Sequence, residues 1–237
     1  MRNLLDEKPS TKLHGRLKYA VDLVDDGDLL NRRVLDIGCG FGWFELNALA
    51  RGASVVVGIE ITAVGLRTIN THLTDPRLRT HVASAIDLPF EDASFDTVVC
   101  WEVLEHIPQY TEPVMFASVS RVLKPGGKFY LSTPYASLVG TLTDPAWWLI
   151  KHRHYSTASL LQLAARAGLS VERLEVRGGL AEVVFTLNLY VSKWILRRQP
   201  LAEALFLEKI NREYAVPGFY ALFAKLSKPG GEAGVGF

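Results

Sequence analysis

The fold is decided by the stretch Val-Leu-Asp-Ile-Gly-Cys-Gly-Phe-Gly at residues 34–42, a short apolar run followed by three glycines at alternate positions. The apolar run has the length of a buried β-strand, and residues 44–50 have helical composition up to a stop at Gly52. Glycines let the backbone approach a ligand closely because no Cβ intervenes. The stretch therefore predicts a strand, a ligand-binding turn and a helix.

Strand and helix signals alternate along the rest of the chain. Predicted strands span residues 34–37, 53–59, 80–83, 95–100, 128–132, 171–176 and 219–226, and predicted helices span residues 44–50, 63–73, 113–123 and 157–167. This alternation implies the α/β class, with a Rossmann-like, mostly parallel sheet of seven strands and helices on both faces. Between the last two strands lie about forty residues that look helical, far more than a hairpin needs.

Composition and charge exclude several classes of protein. The 237 residues are 49% hydrophobic and 22% charged, and the formal net charge is +1, so neither a disordered chain nor a nucleic-acid partner is indicated. Cys39 and Cys100 lack paired spacing, so cysteine builds neither a disulfide framework nor a zinc site. We expect a cytoplasmic protein, because charge interrupts residues 1–8 before a signal sequence forms and the apolar stretch 183–192 is too short to span a bilayer.

Two carboxylates, Asp36 and Glu60, fall at the ends of the first two predicted strands. In an open parallel sheet the ligand crevice lies beyond the carboxyl ends of the strands, near the switch in strand order. Glu60 follows Asp36 by 24 positions, where a carboxylate can accept hydrogen bonds from both hydroxyls of a ribose. Proteins that bind NAD and proteins that bind S-adenosylmethionine share such a contact.

The spacing of the glycines separates these two ligands. A dinucleotide fingerprint reads G-x-G-x-x-G, whereas residues 38–42 read G-x-G-x-G after Asp36. An acid before the glycines suits a cationic amino-acid tail better than a diphosphate. The alternative is a turn that binds no ligand. In that case the spacing between Asp36 and Glu60 would match that of a ribose-binding site only by chance.

Five motifs in order resemble the class I S-adenosylmethionine-dependent methyltransferase family. They lie at residues 34–42, 57–60, 87–96, 102–107 and 123–127. The resemblance is to the branch shared by ubiquinone-biosynthesis O-methyltransferases and many natural-product methyltransferases. It covers roughly residues 14–135, with weaker similarity to about residue 176. It implies a last strand that runs antiparallel, with a helical insertion before it.

The resemblance also implies which residues bind S-adenosylmethionine. Asp36 and the glycines line the methionine moiety, Glu60 holds the ribose and Ile61 packs on the adenine. Ser84 stands where relatives often carry Asp or Asn for the adenine amino group, so the backbone of the next two residues is expected to carry more of the recognition. The predicted cofactor-binding residues are Asp36, Gly38, Cys39, Gly40, Gly42, Glu60, Ile61, Ser84, Ala85, Ile86 and, through its backbone, Cys100.

The N-terminal residues 14–20 resemble the leading helix of some relatives, where a basic residue approaches the cofactor carboxylate. Arg16 or Lys18 can serve, or both can belong to a solvated helix face. We expect an organisation into an N-terminal helical segment that contributes to the cofactor site (1–30), a cofactor-binding core (31–177), a helical cap (178–216), and a last strand with a tail (217–237).

Two histidines are candidates for a catalytic base. Methyl transfer from a sulfonium needs alignment and exclusion of water but no metal, whereas a hydroxyl acceptor also calls for a base, usually histidine. His154 follows the fifth strand in a loop where relatives place substrate residues; alternatively, it caps the helix that starts near Ser156. His106, one helical turn after Glu102, is the second candidate, although relatives generally tuck this histidine against the sheet. No metal ligand is predicted.

Apolar residues in the insertion recur at three- and four-residue intervals, from Val183 through Leu187 to Ile195, and Arg197 and Arg198 follow them. The pattern predicts a helix with a wide apolar stripe. Such a helix can pack on the domain, close the active site, form a dimer seam or lie in a membrane interface. If it lines the pocket, the acceptor should be apolar or carry a lipid-like portion.

These features leave three functions to weigh. The first is methyl transfer to a small-molecule acceptor, at oxygen, with a quinone-like, lipid or secondary-metabolite acceptor. The second is an NAD-dependent oxidoreductase or epimerase, disfavoured by the glycine spacing and by the absence of a Tyr-x-x-x-Lys pair. The third is a non-catalytic cofactor-binding accessory protein. A homodimer and a peripheral contact with a membrane stay open.

Overall fold

A computed structural model describes residues 8–143, 152–198, 200 and 203–230. Its seven strands are β1 Arg33–Ile37, β2 Val55–Glu60, β3 Leu78–Val82, β4 Phe95–Trp101, β5 Leu123–Pro134, β6 Ser170–Arg177 and β7 Ala221–Ser227. In the described residues they form one sheet in the order β3-β2-β1-β4-β5-β7-β6. Every neighbouring pair is parallel except the two pairs that include β7. The predicted Rossmann-like sheet with an antiparallel last strand is confirmed.

Helices connect the strands and flank the sheet. They are α1 Gly15–Leu23, α2 Trp43–Ala50, α3 Arg67–His72, α4 Glu112–Val122, α5 Leu138–Thr143, α6 Thr157–Arg166, α7 Leu180–Tyr190 and α8 Glu203–Tyr214, together with a 3₁₀ turn, Asp26–Asp28, and a π-helix, Val191–Leu196. The helical insertion predicted before the last strand is therefore present as α7, the π-helix and α8.

Both faces of the sheet are buried, because successive strand residues point to opposite faces. Leu35 and Val98 belong to a core that α4 and α6 complete on one face. Val34 and Val99, their neighbours in sequence, belong to a second core that α1, α2 and α8 complete on the other. The sheet thus lies between two helical layers, which leave the ends of its strands free to form a binding site.

Two predicted elements begin four or more residues away from where the structure places them. The helix predicted over residues 63–73 spans only Arg67–His72, because Gly65 is a poor helix former and lies in a turn against the Glu60 side chain. The fifth strand, predicted over residues 128–132, runs through Leu123–Pro134 with a shift in register opposite β4. A Lys-Pro-Gly-Gly run is typical of a turn, and here it bulges out between two paired positions, since Leu123 pairs with Phe95 and Lys128 with Thr97. The Lys124 ammonium donates to the Asp96 carboxylate at 2.8 Å.

The cap helices are joined to the N-terminal helix. The backbone N–H of Gly15, at the start of α1, donates to Asn211 Oδ1 of α8 at 2.7 Å. The Glu213 carboxylate of α8 accepts from the backbone N–H groups of Gly179, Ala181 and Glu182, and so caps α7. Among the described residues, no helix has both the length and the apolar character needed to cross a membrane.

Candidate active site

A cavity of about 310 Å³ opens at the carboxyl edge of the sheet, where β1, β2 and β4 end. The strand order reverses between β1 and β4, so this is the position expected for a ligand in an open α/β sheet. Five segments line the cavity: Ile37–Gly38, Ile59–Ile61, Ala83–Ala85, Trp101–Val103 and His106–Pro108. Six residues predicted from the sequence meet here: Gly38, Glu60, Ile61, Ser84, Ala85 and His106.

The glycine turn has the backbone shape that only glycine adopts easily. Gly38, Gly40 and Gly42 all have positive φ, and Gly38 lies so close to β4 that a Cβ there would fall 2.3 Å from the Val103 side chain. The Glu60 carboxylate accepts a hydrogen bond from the backbone N–H of Gly40 at 2.8 Å. The carboxylate at the end of β2 and the turn after β1 are therefore held as one unit.

Beneath the turn lies a buried pair of carboxyl groups. Asp36 and Glu45 are both fully buried, and neither completes its hydrogen bonds with the rest of the protein. Burial, together with the charge of Glu60, raises the pKa of Asp36 to about 8. Burial and the neighbouring Asp36 likewise raise the pKa of Glu45. One proton shared between the two groups would satisfy both. Asp36 lies on β1 just before the turn and does not itself line the cavity, where the sequence predicted it.

One end of the cavity is built for a planar, weakly polar group. Ile61 is 66% exposed at the mouth although it is a large apolar residue. Ser84 and Ala85 also line the cavity, and the Ser84 hydroxyl lies 3.4 Å from the backbone nitrogen of Ile86, which donates to it. Ile86 itself does not line the cavity. This end suits an adenine ring.

Neither of the two predicted cysteines lines the cavity. The side chains of Cys39 and Cys100 are buried, and both thiols are free. Burial raises the pKa of each thiol, so neither is a thiolate at neutral pH. Cys100 lies on β4 beside Ile37, the last residue of β1.

Glu102 forms the opposite end of the cavity. It has a φ of +55°, a conformation that costs a non-glycine residue about 1 kcal/mol or more. Ser132 Oγ donates to one of its carboxylate oxygens and Arg16 Nη1 to the other, both at 2.6 Å. A strained backbone with both oxygens engaged fixes this carboxylate at the end of β4.

Of the two basic residues considered in the N-terminal helix, Arg16 faces the site. Lys18 instead pairs with Asp22 on the outer face of α1. Burial works against the charge of Arg16, but the carboxylates of Glu102 and Glu182 raise the pKa of its guanidinium above the ordinary value. The arginine therefore stays charged beside the cavity, under the cap.

The structure separates the two candidate histidines. His106 is exposed and lines the cavity, so the alternative that it is tucked away against the sheet is wrong. His154 does not line the cavity, and its Nδ1 lies 3.0 Å from the Thr141 hydroxyl of α5. The N-cap of α6 is Ser156, which accepts from the backbone N–H of Ser159 at 3.1 Å.

His106 belongs to a group that sequence spacing did not reveal. One ligand atom each from Glu105, His106 and His152 lies within 4.8 Å of the others, and we call these three residues the His106 cluster. The Glu105 carboxyl is buried, and one of its oxygens makes no hydrogen bond. Carboxylate and imidazole groups in this number can hold a divalent cation. His152 lies 46 positions beyond His106, so only the fold brings it here.

Comparison with known proteins shows which proteins the segment that contains this site resembles. Residues 35–131 match the methyltransferase domain family, and this segment contains the turn, Glu60 and His106. A ubiquinone biosynthesis O-methyltransferase of Xanthomonas oryzae is 36% identical over 129 residues, which are 53% of each chain. The chain thus spans about half the length of the curated relatives it matches.

Solved structures show the same fold over nearly the whole chain. A putative sarcosine dimethylglycine methyltransferase from Galdieria sulphuraria has a TM-score of 0.65 at 20% identity, covering 90% of this chain and 84% of that one. Geranyl diphosphate C-methyltransferase from Streptomyces coelicolor, in complex with Mg²⁺, geranyl diphosphate and S-adenosyl-L-homocysteine, has a TM-score of 0.63 at 19% identity, covering 90% and 78%. Residues 35–131 are thus similar to the methyltransferase domain family, and the chain has the fold of these solved methyltransferases, in agreement with the sequence motifs.

Proposed function

We propose that the protein binds S-adenosylmethionine in the cavity and transfers its methyl group to an oxygen atom of a small, hydroxylated and partly apolar acceptor. The observation that carries the proposal is that one cavity joins the glycine turn and Glu60 to Glu102 and His106. The names of the relatives support it, since ubiquinone biosynthesis O-methyltransferases recur among them. The match of residues 35–131 to the methyltransferase domain family also favours methyl transfer over NAD-dependent oxidation.

The residues present fit this cofactor. Gly38 brings bare backbone to the cavity, where the amino-acid end would lie, and Glu60 would accept hydrogen bonds from the ribose. Ile61 and Ser84 would enclose the adenine from two sides. S-adenosylmethionine supplies a methyl group on a sulfonium, whose positive charge already activates it for in-line displacement.

The protein's own groups would align the acceptor and receive its proton. His106 lines the cavity and is the better placed of the two histidines to accept the proton of an attacking hydroxyl. Glu102, fixed by Ser132 and Arg16, would orient that hydroxyl. None of the described residues of the predicted cap, 178–216, lines the cavity, so exclusion of water by this segment and the division of the chain into four segments stay predictions.

A second role for His106 is favoured by the His106 cluster, whose donor atoms could hold a divalent cation that binds the acceptor oxygen. Treatment with EDTA followed by addition of Mg²⁺ or Zn²⁺ separates the two roles. Unchanged turnover supports the base, whereas a loss that the cation restores supports the ligand.

The experiment that tests the function is transfer of a labelled methyl group. The purified protein is incubated with methyl-labelled S-adenosylmethionine and either a catechol or a hydroxylated quinone precursor with an apolar tail. We expect label in the acceptor as an acid-stable methyl ether. A folded protein that binds the cofactor but labels neither these acceptors nor a total lipid extract would instead fit the non-catalytic accessory protein.

A further inference from the structure

An apolar stripe runs along one side of α7 and the π-helix. It consists of Leu180, Val184, Leu187, Val191 and Ile195, and each of these side chains is between 39% and 73% exposed. Steps of three and four residues place all five on one face of a helix. A run of large apolar side chains facing water in one line marks a surface that contacts something else.

The opposite side of the same helix is firmly packed, which fixes the direction of the stripe. Val183 is buried, and the ring of Phe185 lies 5.8 Å from that of Phe206 on α8. Thr186 Oγ1 lies 3.2 Å from the Tyr220 hydroxyl, next to β7. The helix therefore already uses its inner face to pack on the domain, and the apolar stripe is a second, outward face.

The exposed charges on the segment that carries the stripe have one sign. From Leu180 to Arg198 the only acidic residue is Glu182, which is buried. Arg197 and Arg198 are exposed directly beyond the end of the stripe. An apolar face with basic residues and no exposed acid is complementary to anionic lipid headgroups above an acyl layer. In a seam between two copies, these arginines would find no carboxylate on the facing helix.

A second exposed apolar surface lies at the same edge of the molecule. Leu138 and Leu142 on α5 are both more than half exposed. A Cβ on Gly140 of the same helix would lie 3.5 Å from the carbonyl oxygen of Phe219, whose N–H donates to Gly178 just before α7. Both surfaces therefore lie beyond the carboxyl ends of β5 and β6, the edge at which the cavity opens.

We propose that α5 and the apolar stripe dock the protein on an anionic membrane surface, with the helices lying in the interface. The described residues contain no helix able to cross a bilayer, in keeping with attachment to one leaflet. Docking in this way turns the cavity edge of the sheet toward the lipid, from which an apolar acceptor can enter. The attachment itself does not depend on which acceptor is methylated.

Sedimentation with vesicles tests the proposal. The full chain should bind vesicles of phosphatidylcholine with phosphatidylglycerol, and bind less to phosphatidylcholine alone or at high salt. Changing Leu187→Glu and Ile195→Glu together should lower binding by roughly tenfold or more, because two apolar side chains are lost from the contact. Leu161→Glu on α6 is the matched control, since Leu161 is 45% exposed and Leu187 39%, and it should bind like the native chain.

Arg197→Ala with Arg198→Ala should weaken binding to the anionic vesicles only. The proposal fails if the native chain binds neither vesicle, or if the Leu187→Glu, Ile195→Glu variant binds as well as the control. It also fails if the native chain does not bind vesicles and sedimentation velocity shows a dimer that the Leu187→Glu, Ile195→Glu variant dissociates. The stripe would then be an interface between two copies of the chain. Cofactor binding measured on the same samples shows that each variant is folded and leaves the proposed function to be judged separately.

Discussion

Removal of the Glu60 carboxylate should weaken cofactor binding more than any other single change at the end of β2. If the two ribose hydroxyls each donate a charge-assisted hydrogen bond worth about 1.5 kcal/mol, Glu60→Ala loses about 3 kcal/mol, or roughly a hundredfold in Kd. Glu60→Gln should cost about 1.4 kcal/mol, or roughly tenfold, because the amide oxygen still accepts from the Gly40 N–H and from one hydroxyl.

Isothermal titration calorimetry with S-adenosyl-L-homocysteine measures both effects. Glu91→Gln is the matched control, because Glu91 is exposed and lies outside the cavity, and its Kd should stay at the native value. Denaturant unfolding of each variant shows whether the loss of the Gly40 contact has disturbed the fold. If folded Glu60→Ala binds the nucleoside within about twofold of the native chain, the ribose does not lie on Glu60 and the proposed cofactor pose is wrong.

Three further changes test other parts of the account. His106→Gln should lower kcat by roughly a hundredfold or more and leave the Kd for S-adenosyl-L-homocysteine unchanged. His154→Gln should alter kcat little. Equal losses of kcat in a steady-state assay would reject His106 as the catalytic base. The free energy of unfolding should fall as the pH rises from about 4 to about 8, because the folded state holds a proton on Asp36 between the ordinary and the raised pKa of that group. Asp36→Asn should flatten this dependence on pH. An equally steep dependence in the variant would show that another group is responsible. In urea unfolding, Gly38→Ala should destabilise the fold by roughly 2–3 kcal/mol, since the added Cβ meets the Val103 side chain. Gly40→Ala should cost only about 1 kcal/mol, because its Cβ meets nothing within 4 Å. Equal losses of stability would mean that backbone strain alone sets the cost of both substitutions.

The cofactor half of the site was predictable because its signals are local in sequence. Gly38 and Glu60 each follow directly from a strand, and parallel strands bring their carboxyl ends to one edge. Ser84 could be placed by the same logic, since it comes shortly after β3. The chain order of strands and turns therefore contains most of the information about this end of the cavity.

The acceptor half was less accessible because it is assembled by tertiary contacts. Arg16 and Ser132 meet at Glu102 from opposite parts of the chain, and His152 reaches Glu105 across a long connection. No periodicity or spacing encodes such meetings. The early start of β5 was missed for a related reason, since the pairing of Leu123 with Phe95, before the Lys-Pro-Gly-Gly bulge, is a tertiary contact.

The exposed stripe on α7 is a second feature that the sequence predicted only in part. The sequence predicted a helix with a wide apolar face from Val183 to Ile195, but it could not say which part of that face packs. In the structure Val183 is buried while Leu187 and Ile195 face outward. Packing against α8 and β7 decides the division, and it leaves a surface that the domain itself does not use.

The most direct test of the central claim is a thermal-shift titration of the native chain with S-adenosylmethionine, S-adenosyl-L-homocysteine and NAD in parallel. We predict that the first two raise the melting temperature in a saturable way and that NAD has no effect, with Glu60→Ala abolishing most of the shift. Stabilisation by NAD alone would contradict the account, since the cavity would then hold a dinucleotide and the protein would not transfer methyl groups.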